Sequence, residues 1–120
     1  MIRYIIVTLL LFFSTISYAH EMTPTYPEWR FSSYDGLLVT EMQMFNKRVD
    51  VEYYEITVLD ENMQPIPFVS SYSILRLDYL SRIKFEVYIR ESDRLKAVYL
   101  CSRSKSKSSV SSMICSKFKS

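Results

Sequence analysis

Residues Met42 to Asp60 read MQMFNKRVDVEYYEITVLD, and their reading decides the fold. Two runs rich in β-branched and aromatic residues flank a polar break at Asn46, Lys47 and Arg48. Tyr54, Ile56 and Val58 alternate with Glu55, Thr57 and Leu59, close to the two-residue period of a strand with one buried face. Val49, Val51 and Tyr53 follow the same period one residue out of phase. Such a slip predicts a bulge, or a strand that changes face, within a central strand over Val49 to Asp60.

Working outward, the same alternation recurs. Ile83, Phe85, Val87 and Ile89 alternate with Lys84, Glu86, Tyr88 and Arg90, the clearest strand of the chain. Leu37 to Phe45 is another, with Leu38, Thr40, Met42 and Met44 on one face. Pro65 and Pro67 around Ile66 suit a short edge strand over Met63 to Ser71, since proline cannot donate to a ladder. Tyr72 to Leu80 reads as a strand plus a connection. Leu95 to Ser102 and Val110 to Phe118 are two last strands, with a Ser/Lys/Arg loop between them. Tyr34-Asp35-Gly36, Asp60-Glu61-Asn62 and Glu91-Ser92-Asp93 are turn signals. About seven short strands with turns every eight to twelve residues predict an all-β, immunoglobulin-like antiparallel sandwich.

The first nineteen residues have a different character. Arg3 precedes an apolar run from Tyr4 to Phe13, and Ser17-Tyr18-Ala19 places small residues where a signal peptidase reads. The expectation is a signal peptide helix over 1–19, cleaved after Ala19, and one exported domain over 20–120. The run is short for a bilayer span; retention as an N-terminal anchor is the alternative. Without Arg3 the chain carries 14 basic and 13 acidic residues. A near-neutral balance gives no general argument for nucleic acid or membrane binding. The membrane is met only in passing, through the leader.

Little in the sequence supports catalysis. A single glycine excludes a glycine-rich phosphate loop, and a single histidine at the end of the trimmed chain assembles no Ser/His/Asp set. Alternation scatters Asp50, Glu52 and Glu55 over both strand faces. Cys101 and Cys115 are the only cysteines. If their strands pair as a hairpin, the two Cβ atoms face each other, and an oxidising compartment keeps a disulfide there. Closing such a loop contributes on the order of 3 kcal/mol. Free or metal-bound thiols are the alternative.

Three further groups are candidates for binding. Tyr26, Trp29, Phe31 and Tyr34 form an aromatic cluster of the kind that anchors interfaces; the same residues also suit closing one end of the core. Arg103, Lys105 and Lys107 make a basic loop, fitted either to a phosphate-bearing surface or to a solvated tip. His20 would offer an α-amine and an imidazole to copper, with Met42 and Met44 as soft ligands. The plainer reading makes His20 a solvated terminus and the two methionines core residues.

The run from Phe45 to Ser92, FNKRVDVEYYEITVLDENMQPIPFVSSYSILRLDYLSRIKFEVYIRES, resembles the N-terminal immunoglobulin-like domain of periplasmic pilus-assembly chaperones. In that family an Asn ends one strand, a strand like Tyr54-Glu55-Ile56-Thr57-Val58 follows, and a Leu-rich segment leads to one like Lys84-Phe85-Glu86-Val87. Residues 20–27, Phe45 to Ile56, Pro65 to Ser71, Val87 to Glu91 and Cys115 are also similar to small exported proteins of marine T4-like phages that infect cyanobacteria. The first resemblance implies the fold, the second an origin. Together with the residues they lead to an expectation: an exported, non-enzymatic, chaperone-like protein-binding module of the periplasm or extracellular space. It would act through strand edges or the aromatic patch on an unidentified protein partner. No cofactor and no nucleic acid are expected. The readings from other classes are an N-terminal-His copper protein and a structural or accessory virion protein.

Overall fold

The computed structural model describes residues 20–105 and 111–119; the predicted leader and Lys107 lie outside them. Among the described residues ten strands form two antiparallel sheets. The first contains β1 (Glu21–Thr23), β2 (Arg30–Phe31), β3 (Leu37–Phe45), β6 (Val69–Ser70) and β8 (Arg82–Arg90), ordered β1-β3-β8-β6 with β2 also on β3. The second contains β4 (Tyr53–Leu59), β5 (Pro65–Ile66), β7 (Ile74–Arg76), β9 (Tyr99–Lys105) and β10 (Met113–Lys117), ordered β10-β9-β4-β5 with β7 also on β4. This is the expected immunoglobulin-like sandwich, with more and shorter strands than predicted.

The long strands obey the alternation that predicts them. Leu38, Met42 and Met44 of β3 and Phe85, Val87 and Ile89 of β8 face Tyr54, Ile56, Val58 and Leu100 of the other sheet in one buried cluster. Burying each large side chain contributes about 1.5–3 kcal/mol, which is why the two amphipathic ribbons stack.

Three expectations need correction. The central strand begins at Tyr53, not Val49; residues 46–52 form a loop in which Val49 is exposed and Val51 is buried. The phase slip marks the junction of this loop with β4 rather than a bulge. The Met63 to Ser71 segment is not one edge strand. Pro65 and Pro67 break it into β5, paired with β4, and β6, paired with β8, so the chain crosses between sheets there. The penultimate strand starts at Tyr99, after a single 3-10 turn over Glu91–Asp93, and runs on to Lys105. Gly36 fulfils its turn role with φ +77°, a conformation that costs glycine little.

A polar hub sits at one end of this apolar cluster. Asn46 is fully buried. Its Nδ2 donates to the carbonyls of Val51 (2.7 Å) and Leu77 (2.8 Å), and its Oδ1 accepts from the Arg48 amide (2.9 Å) and the Tyr54 hydroxyl (2.5 Å). Burial pushes the Tyr54 hydroxyl up to about 12, against the opposing pull of Arg48, so it remains a donor at ordinary pH.

Candidate functional site

The β9–β10 hairpin carries the residues with chemistry. Ser104 donates its amide to the Ser112 carbonyl (2.9 Å) and Phe118 donates to Val98 (2.9 Å). With the register Ile114↔Ser102 and Ser116↔Leu100, the even-numbered residues of β10 make the hydrogen-bonded pairs with β9. The intervening pairs are the non-hydrogen-bonded ones. Two consequences follow. Cys101 and Cys115 occupy such a pair, with Cα atoms 4.1 Å apart, and are joined by a disulfide. The N–H and C=O groups of Met113, Cys115 and Lys117 point away from β9, and β10 ends its sheet. Among the described residues no strand pairs with that edge; beyond it, the Lys119 amide donates to Pro27 (3.0 Å).

The hairpin is held at both ends. At the end next to the β9–β10 connection Arg48, from the β3–β4 loop, reaches Ser104 Oγ and Ser112 Oγ (both 3.4 Å) while bonding Asp50 through Nε (3.0 Å) and Nη2 (2.7 Å). At the other end Trp29 stacks on Phe118, ring centroids 4.4 Å apart. Beside this stack lies a cavity of about 440 Å³ lined by Glu28, Trp29, Arg94, Ala97, Lys117 and Lys119, among others. Lys119 pairs with Glu28 (3.1 Å). Trp29 Nε1 is buried with no hydrogen-bond partner among the described residues.

The predicted site residues fall in different places. The aromatic cluster divides: Trp29 is buried and closes an end of the core, whereas Tyr26, Phe31 and Tyr34 are exposed. Tyr34 meets Tyr88 edge-on at 5.7 Å. Arg103 and Lys105 are strand residues of β9, not loop residues, because the Ser104–Ser112 pairing carries the ladder past Ser102. Lys105 pairs with Glu55 on β4 (3.2 Å). Met42 and Met44 are core residues.

His20 is not a solvated terminus. It is 1% exposed, its Nε2 lies 2.6 Å from Ser102 Oγ, and its ring packs on Tyr54 at 4.4 Å. Burial pulls its pKa down to about 4; hydrogen bonding at Ser102 opposes this and the Arg48 charge adds to it. Sequence reasoning missed the Asn46 hub and the Arg48 tie. The only local signal was the polar break at Asn46, Lys47 and Arg48, and their partners lie up to 64 residues away.

No family model matches the chain, and no curated protein matches it. Among solved structures it is similar to the E. coli chaperone DraB, at 17% identity, a TM-score of 0.65 and 84% coverage of this chain. The chain spans about half of that chaperone's length, 53%. At this identity the likeness shows a shared immunoglobulin-like sandwich fold.

Proposed function

We propose that this chain is an exported, non-enzymatic protein-binding module with chaperone-like action, taking an extended segment of its partner onto the edge of β10 that pairs with no described strand. The observation that carries this reading is the outward row of backbone groups at Met113, Cys115 and Lys117 on a strand that ends its sheet. Such an edge adds a further strand by main-chain hydrogen bonding. The disulfide and the Arg48 tie support it, because a rigid edge loses less freedom on binding. Exposed Phe31 and Tyr34, on the side of the other sheet, offer a separate aromatic contact. Arg94 and Lys117 favour a segment that is acidic where it reaches the end of β10.

Lys117→Pro provides the test. It removes one outward N–H and leaves the ladder to β9 intact, a position where proline is tolerated. The variant is expected to keep the β-sheet circular dichroism of the parent chain. It should capture partner from periplasmic extract roughly tenfold less well, the loss of about 1.4 kcal/mol expected for one main-chain bond. Absence of any specific protein in the parent's capture, or equal capture by both chains, overturns the proposal.

A further inference from the structure

The outer face of the second sheet carries a second feature, which does not depend on β10 binding a partner. A shallow pocket of about 300 Å³ opens there between Thr57, Leu59, Met63, Pro65, Arg103 and Met113. Its two methionines are 44% and 42% exposed, whereas Met22, Met42 and Met44 are 6% exposed or less. Met63 holds φ +62°, a conformation that disfavours an L side chain and is usually left to Gly or Asn. The Asp60 carboxylate bonds the amides of Asn62 and Gln64 around it. Met113 faces Arg103 across the β9–β10 ladder, and Arg103 Nη2 donates to its sulfur at 3.6 Å.

We propose that Met63 and Met113 form a thioether oxidation site in which Arg103 holds the oxidised product at Met113. The co-reactant is a hydroperoxide such as hydrogen peroxide. A sulfur lone pair attacks the distal oxygen, the O–O bond breaks and the S–O bond forms. Sulfur gives up two electrons, the proton on the transferred oxygen passes to the departing oxygen, and that oxygen leaves as water from hydrogen peroxide or as an alcohol from an alkyl hydroperoxide. Thioether sulfur is a weak acceptor, whereas sulfoxide oxygen is a strong one. Oxidation therefore turns the weak N–H···S contact with Arg103 into a charge-assisted N–H···O bond. The same guanidinium argues against the other ligand of exposed thioethers, a soft metal cation, because it places a fixed positive charge on the sulfur.

The test is peroxide treatment of the folded chain at neutral pH, followed by peptide mass mapping. Met63 and Met113 are expected to oxidise at least roughly tenfold faster than Met22, Met42 and Met44, following exposure. Rates equal across all five overturn the site. Arg103 is a positioning residue, and its role has a separate readout. Its side-chain nitrogen resonances should shift on oxidation of the parent chain and stay fixed in Met113→Leu. Oxidation should leave the melting midpoint of the parent nearly unchanged and lower that of Arg103→Gln by about 4 °C, the equivalent of one lost hydrogen bond. Unmoved Arg103 signals, or equal melting shifts in both chains, overturn the capture step.

Discussion

Replacing Asn46 with alanine is expected to lower the free energy of unfolding by about 3–5 kcal/mol, the upper end for a single substitution. The side chain has two donors and two acceptor sites, and the fold uses all four. Its removal strands the Tyr54 hydroxyl and the carbonyls of Val51 and Leu77 in a dry interior. Each unsatisfied buried group costs about 1–3 kcal/mol. Tyr54→Phe breaks one of these bonds and leaves the other three, so its cost should stay near 1–2 kcal/mol. Asn46→Asp keeps the shape but turns an acceptor toward two carbonyls, and should be no milder than alanine. Urea midpoints for the three variants, with unchanged m-values, decide the matter. A cost below about 1 kcal/mol for the alanine variant would show that the hub does not hold the fold. The damage should also reach the proposed binding edge. Arg48 hangs from the same loop and ties Ser104 to Ser112, so partner capture should weaken together with stability.

That hub also explains where sequence reading succeeds and where it stops. Leu37–Phe45, Tyr53–Leu59 and Arg82–Arg90 are legible because one sheet face is buried against the core, so a period of two survives along the whole strand. The cysteine hairpin is legible because the two residues lie in adjacent strands joined by a short connection. Residues 46–52 are illegible because their conformation is set by one asparagine whose partner Leu77 lies 31 residues away. Two-residue strands such as β5 and β6 carry no period at all, and only pairing with β4 or β8 assigns them to a sheet. Trp29 and Phe31 look alike in sequence; Phe118 buries the first, and no described residue covers the second. The outward edge of β10 is a property of hydrogen-bond register, which residue type does not encode. The burial of His20 has the same character, since Ser102 lies 82 residues away.

His20 makes stability depend on pH in a definite window. Its pKa is 6.5 as a free side chain and about 4 in the fold, chiefly because burial penalises the charged ring. Between these values the unfolded chain binds a proton that the folded chain refuses, so unfolding takes up protons and stability rises with pH. The contribution is complete above about pH 6.5 and falls as acid is added, until it is spent near pH 4. A shift of this size corresponds to at most on the order of 3 kcal/mol. The charged groups around the ring set the baseline. Arg48 repels the imidazolium, and the neighbouring Glu21–Lys47 pair is exposed and worth little. His20→Gln keeps a polar side chain within reach of Ser102 and has no proton to take up in this range. The difference between the parent and variant unfolding curves, measured by urea at successive pH values from 7.5 to 4, isolates the histidine from the carboxylates that both chains share. The parent is expected to lose stability faster than the variant on acidification, and the two curves should run parallel above pH 7. Parallel curves down to pH 4 would mean that the ring is hydrated in solution, and that β1, which His20 precedes, is not anchored against β9.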